Sequence, residues 1–160
     1  MELIAATPAD IPLIRQFEAN PDNRGKVGGW SEVEHAEAMA DPATRYWLFR
    51  VEGRPVGFCI LRDLSEPHRN VLLQRIIIAP PGSGLGRQAL QAVMRWCFRD
   101  WGAHRLYLHV FVDNDRARHV YRSLGFSEDG LHRETLFMDD AWRSQYLMSI
   151  LDREYAARQD

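Results

Sequence analysis

Cysteine is scarce in this chain: only Cys59 and Cys97 occur among 160 residues, each inside an apolar stretch. Two such thiols make neither a disulfide framework nor a metal-ligand cluster, so no metal is expected and a reducing cytoplasm is the expected setting. Long apolar runs are missing too. Nothing approaches the roughly 20 residues that span a bilayer, and the first residues lack the basic and apolar regions of a secretory signal, so no membrane role is expected. Charge of one sign is also lacking. Twenty Lys and Arg stand against 22 Asp and Glu, with the arginines scattered among the acids. That balance argues against a nucleic-acid partner. Repeats, low-complexity tracts and linkers are absent. What remains, 46% hydrophobic and 26% charged, is the composition of one globular domain, expected over residues 1–151, with a solvated charged tail at 152–160.

The order of elements follows from periodicity and punctuation. Residues 2–6 read as a short strand, and Thr7-Pro8-Ala9-Asp10 opens a helix with a threonine cap and a first-turn proline. Asn20 to Trp30 is polar and glycine-rich, a loop by composition. Ser31 with Glu34 is a second capping box, and Asp41-Pro42 ends that helix. Residues 45–51 and 55–62, separated by Glu52-Gly53-Arg54, predict a hairpin. Val71 to Ala79, ending in Ile76-Ile77-Ile78, predicts a strand covered on both faces.

A glycine-rich turn precedes a helix whose apolar positions are Leu90, Val93, Met94, Cys97, Phe98 and Trp101. Trp96 is out of phase with that stripe, which suits partial exposure or a dimer contact; the Trp and Phe content permits a homodimer. Residues 104–112 alternate, with Leu106, Leu108, Val110 and Val112 on one side. Asp113 is the expected cap of a helix that Gly125 stops, and 126–138 with 142–150 predict a closing antiparallel pair. Hairpins combined with one strand–loop–helix–strand unit indicate an α/β domain with a mixed sheet.

The turn Pro81-Gly82-Ser83-Gly84-Leu85-Gly86-Arg87 between apolar strand and helix has the make-up of a phosphate cradle. Glycines let successive backbone N–H groups point inward, and the helix dipole adds partial positive charge. Arg87 adds a charge-assisted donor. Gly86-Arg87-Gln88 lacks the Lys-Ser/Thr of a P-loop, and a dinucleotide fingerprint requires different glycine spacing after the first strand.

Here the chain resembles a known family. Arg75-Ile76-Ile77-Ile78-Ala79-Pro80-Pro81-Gly82-Ser83-Gly84-Leu85-Gly86-Arg87 resembles the acetyl-CoA signature of GNAT N-acetyltransferases, an apolar strand followed by Gln/Arg-x-x-Gly-x-Gly/Ala. About thirty residues on, Asn114-Asp115-Arg116-Ala117-Arg118-His119-Val120-Tyr121-Arg122-Ser123-Leu124-Gly125-Phe126 resembles the second hallmark, Asn-x-x-Ala-x-x-x-Tyr-x-x-x-Gly-Phe. Arg54-Pro55-Val56-Gly57-Phe58 and Leu131-His132-Arg133-Glu134 extend the likeness, the latter towards ribosomal-protein and small-substrate N-acetyltransferases. One position departs. Pro81 stands where the signature has Gln or Arg, so part of the pyrophosphate contact falls to Arg87.

The resemblance implies a single GNAT-like α/β (α+β) domain: a mixed, mostly antiparallel sheet of six to seven strands, flanked by about four helices. It implies acetyl-CoA as cosubstrate, no metal, and a primary amine acceptor on a small molecule or a protein N-terminus. Ile76, Ile77 and Ile78 are implied to pair their main chain with pantetheine. Gly82, Ser83, Gly84, Leu85, Gly86 and Arg87 are implied to receive the pyrophosphate, with Asn114 and Arg118 contributing to cofactor binding. Tyr121 is implied near the sulfur as general acid; by periodicity alone it reads equally as a core tyrosine.

The general base stays open. Gln74 stands on the strand where many relatives carry a glutamate, and an amide cannot take up the proton. Glu134 and His109 are the candidates, and a water chain is the third route. Two rival functions remain at this point. One is a catalytically inactive acyl-CoA-binding sensor or assembly module, the other a nucleotide-binding domain.

Overall fold

The computed structural model describes residues 1–23, 26 and 28–159. Arg24, Gly25 and Val27, from the loop expected over Asn20–Trp30, lie outside the described residues, as does Asp160 of the tail. Seven strands form one sheet: β1 (Glu2–Ala5), β2 (Arg45–Val51), β3 (Arg54–Arg62), β4 (Asn70–Ile78), β5 (Arg105–Phe111), β6 (Ser127–Met138) and β7 (Ala141–Leu151). Their order is β1-β2-β3-β4-β5-β7-β6. Every neighbouring pair is antiparallel except β4 with β5. A parallel pair requires a long crossover, supplied here by helix α3 (Leu85–Arg95) and the π-helical turn Trp96–Trp101. The other α-helices among the described residues are α1 (Ile11–Glu18), α2 (Glu32–Ala40), α4 (Asp115–Ser123) and α5 (Asp152–Ala156). None is long and apolar enough to cross a membrane.

The sheet separates two apolar clusters. One, around Phe49, Leu73, Leu90, Val93, Leu106 and Met148, is packed by α3. The other, around Ile14, Leu48, Phe58, Ile60 and Ile77, is packed by α1. β4 serves both because it changes phase. Ile60 pairs with Arg75 but Leu61 pairs with Leu73, so Gln74 is an extra residue, a β-bulge. Before it, Val71 and Leu73 enter the α3-side core; after it, Ile77 enters the α1-side core. Gly57 is needed where β3 meets this strand, since a Cβ there would be driven into the Ile77 carbonyl oxygen.

Both capping boxes form: Thr7 N–H donates to Asp10 Oδ2 at 2.8 Å, and Ser31 N–H to Glu34 Oε2 at 2.7 Å. Four sequence expectations are corrected. Asn114, not Asp113, caps α4, its Oδ1 accepting from Ala117 N–H, while Asp113 accepts from Arg143 at 2.8 Å. Trp101 is 42% exposed, because the π turn shifts it off the helical stripe. Val112, past the end of β5, is 36% exposed. The tail is not wholly solvated: α5 buries Tyr155, whose ring stacks on Phe98 at 4.8 Å. Trp96 is partly buried between Trp47 and Trp101.

Candidate active site

β4 and β5 part company early. They pair only at Asn70–Arg105, Val71–Leu106 and Leu72–Tyr107, although β4 continues to Ile78 and β5 to Phe111. Their outer edges stay paired throughout, β4 with β3 up to Ile78 and β5 with β7 up to Phe111. The sheet therefore splits along one seam, beginning at the Gln74 bulge, a feature that bends and overtwists a strand. Backbone groups facing the seam beyond Leu72 are left for a guest to satisfy. Ile76 and Ile78 face it and remain only partly buried, so the isoleucine run is not covered on both faces as its composition suggested.

Two cavities open from the seam. One, of about 260 Å³, runs towards the glycine turn and is lined by Ile76, Ile78, Gly82, Gly84, Gly86, Arg87 and Arg116. The other, of about 450 Å³, lies towards Trp30, Gln74, Arg75, His109, Phe111, Leu136, Met138 and Gln145. Asn114, Ala117 and Tyr121 of the α4 segment line both, so the cavities meet at Tyr121.

The glycine turn is shaped for anions. Gly84 caps α3 in the left-handed region at φ 77°, and Ser83 Oγ donates to the Pro80 carbonyl at 3.0 Å, bracing the turn from within. Ser83 and Leu85 do not line the cavity by side chain. Arg87 donates to Ser123 Oγ at 2.5 Å, tying α3 to α4. Arg116 escaped the sequence reading of the site. Its guanidinium lies 3.5 Å from where a Gly82 Cβ would sit. The signal was its place in the first turn of the second motif, two residues after Asn114. Amides at a helix start flanked by two arginines fit a pyrophosphate. Among the described residues no cluster able to hold a metal occurs.

Other expected residues fall elsewhere. Ile77 points its side chain into the α1-side core. Arg118 lines neither cavity; it pairs with Glu128 at 3.0 Å and Asp115 at 3.1 Å and covers the Tyr146 ring, clamping α4 to the sheet. Glu134 is exposed at φ 51° within a bulge of β6, outside both cavities.

Tyr121 is half-buried, and burial pushes its phenol up to about 12. Its ring packs on Phe126 at 5.7 Å. His109 projects from β5 into the larger cavity, its ring 5.4 Å from that of His132. Burial, then the charges of His132 and Arg105, hold its imidazole below the ordinary histidine value.

A buried ionic chain underlies this cavity. Glu18 accepts from Arg75 through Oε1, and its Oε2 meets His35 Nε2 at 3.1 Å and the Trp30 N–H at 3.3 Å. His35 Nδ1 continues to Tyr46 Oη at 3.0 Å, and the Arg75 guanidinium lies 4.6 Å over the Trp30 ring. Sequence gave a faint sign of it: Glu18 falls four residues after Ile14 on the buried face of α1, and Arg75 interrupts an apolar strand. Side-chain exposures of 6% and 4% for Arg75 and Glu18 make removal of one partner costly. Glu18→Ala is expected to lose about 3–5 kcal/mol in urea unfolding, since it strands a buried guanidinium.

Against this geometry, residues 14–126 match the profile of the Acetyltransferase (GNAT) family. The chain belongs to the GNAT acetyltransferase family. It is 32% identical over 119 residues to the spermidine N(1)-acetyltransferase of Escherichia coli K12, covering 73% of this chain and 63% of that enzyme. The chain thus spans just under two thirds of that relative's length. It is 32% identical over 107 residues to the N-alpha-acetyltransferase RimI of Mycobacterium tuberculosis, covering 65% of each. The crystal structure of spermidine N-acetyltransferase from Vibrio cholerae in complex with CoA and spermine superposes with a TM-score of 0.86 at 26% identity, covering 97% of each chain. The GNAT profile ends before β6 and β7, which supply Leu136, Met138 and Gln145 to the larger cavity.

Proposed function

We propose that the chain is an acyl-CoA-dependent N-acetyltransferase, transferring an acetyl group from acetyl-CoA to a primary amine in the cytoplasm. The observation that carries this reading is the junction at Tyr121. A cavity ending in a cationic glycine cradle meets a second, larger cavity along a split parallel strand pair. The CoA bound to the Vibrio cholerae relative supports the same ligand for the smaller cavity.

Acetyl-CoA supplies an activated acetyl thioester. The chain's own residues then bind, polarise and move protons. Amides of Gly82–Gly86 at the start of α3 receive the pyrophosphate, with Arg87 and Arg116 neutralising its charge. Main-chain groups of Ile76–Ile78, freed where β4 leaves β5, hold the pantetheine arm beside Asn114. A backbone N–H of the same edge stabilises negative charge developing on the carbonyl oxygen. Tyr121 Oη donates its hydrogen towards the departing sulfur.

His109, which lines the larger cavity, takes up the proton that the amine sheds, in place of Glu134, which lines neither cavity. Partial burial and the neighbouring charges of His132 and Arg105 disfavour the imidazolium there, which favours the neutral, proton-accepting form. With acceptor saturating, kcat is expected to fall on acidification with an apparent pKa below the ordinary histidine value. His109→Gln should remove that limb and lower kcat about 100-fold. A pH–rate profile of both proteins checks this.

The reading as a whole is tested by following free thiol released from acetyl-CoA with and without primary amines. Amine-dependent release is expected; acetyl-CoA binding with no release from any amine would leave a sensor instead.

A further inference from the structure

We infer that the acceptor is a monoamine with an apolar or aromatic body, not a polyamine. This rests on the acetyltransferase reading and deepens it. A polyamine carries ammonium groups beyond the reacting nitrogen, and a carboxylate or an open aromatic face is what holds such a group most strongly. The larger cavity offers neither in quantity. Among the described residues no Asp or Glu lines it.

Glu18, an acid beneath it, is already engaged by Arg75, His35 and the Trp30 N–H. Arg75 is balanced by Glu18, which leaves the positive charge of Lys26 in the lining. Two of the three aromatic rings of the lining already carry guanidinium groups, Arg75 at 4.6 Å over Trp30 and Arg143 at 4.0 Å over Phe111, and the third, Tyr121, packs on Phe126 at the junction with the cofactor cavity. What the cavity does present is apolar: Phe111, Leu136 and Met138, with neutral Gln74 and Gln145. A second ammonium would enter against like charge, whereas a phenyl or alkyl body would bury apolar surface.

The test compares phenethylamine with spermidine as acceptors for the wild type and for Gln145→Glu, which places one carboxylate in the lining at nearly constant size. Phenethylamine is expected to exceed spermidine in kcat/KM at least tenfold, and Gln145→Glu to shrink that ratio by raising spermidine use. Spermidine equal or superior in the wild type overturns the inference. If neither amine is acetylated, calorimetric titration of each into the protein–CoA complex decides. Phenethylamine binding alone keeps the cavity's preference and places the failure in acetyl transfer. Spermidine binding alone, or no binding of either, discards the inference.

Discussion

Gly84→Glu is expected to weaken acetyl-CoA binding at least 100-fold while leaving the protein folded. Gly84 caps α3 at φ 77°, and a Cβ there would meet no heavy atom within 4 Å. The substitution therefore brings no steric clash. Its structural cost is the left-handed backbone, about 1–2 kcal/mol for a non-glycine residue. Its functional cost is larger, because it sets a carboxylate among the amides that receive the pyrophosphate and opposes Arg87 and Arg116. Calorimetric affinity, measured with a thermal melt of the same sample, separates the two effects. A melt shifted by only a few degrees with binding abolished is the expected pair of results; unchanged affinity would detach the glycine turn from the cofactor.

Tyr121→Phe is expected to lower kcat about 100- to 1,000-fold with acetyl-CoA affinity changed no more than a few-fold. A hydroxyl pushed up to about 12 stays protonated across the whole working range. Tyr121 can therefore donate towards sulfur across that range. It produces no acid limb of its own, so the limb assigned to His109 should survive in Tyr121→Phe. Removing a hydroxyl that faces the cavities while keeping the ring costs little stability. Single-turnover kinetics at several pH values read both quantities. A variant as fast as the wild type would return Tyr121 to the role of a core tyrosine packed on Phe126.

The sequence made the strand order's raw material legible because strands and helices here carry clean periods and caps. Ser31 with Glu34, the Glu52-Gly53-Arg54 turn and the alternation of β5 each state a local fact that tertiary packing did not override. The seam was hidden because it is a fact about register. Nothing local marks Gln74 as the extra residue of a bulge, yet that residue moves Arg75 and Ile77 to one face and turns Ile76 and Ile78 to the cavities. The acceptor side was least legible. Its lining joins Trp30, His109, Phe111, Met138 and Gln145 from separate strands and a loop, and its charge balance depends on Glu18, far away in the chain. Arg118 misled for a related reason: a conspicuous place in a motif does not say that its guanidinium is already committed to Glu128 and Asp115.

The most direct test is calorimetric titration of the purified protein with acetyl-CoA, beside ATP and NAD. The split between β4 and β5, ending in the Gly82–Gly86 cradle, predicts micromolar binding of acetyl-CoA and none of comparable strength for the two nucleotides. A preference for ATP or NAD, or no acetyl-CoA binding at all, would contradict the account.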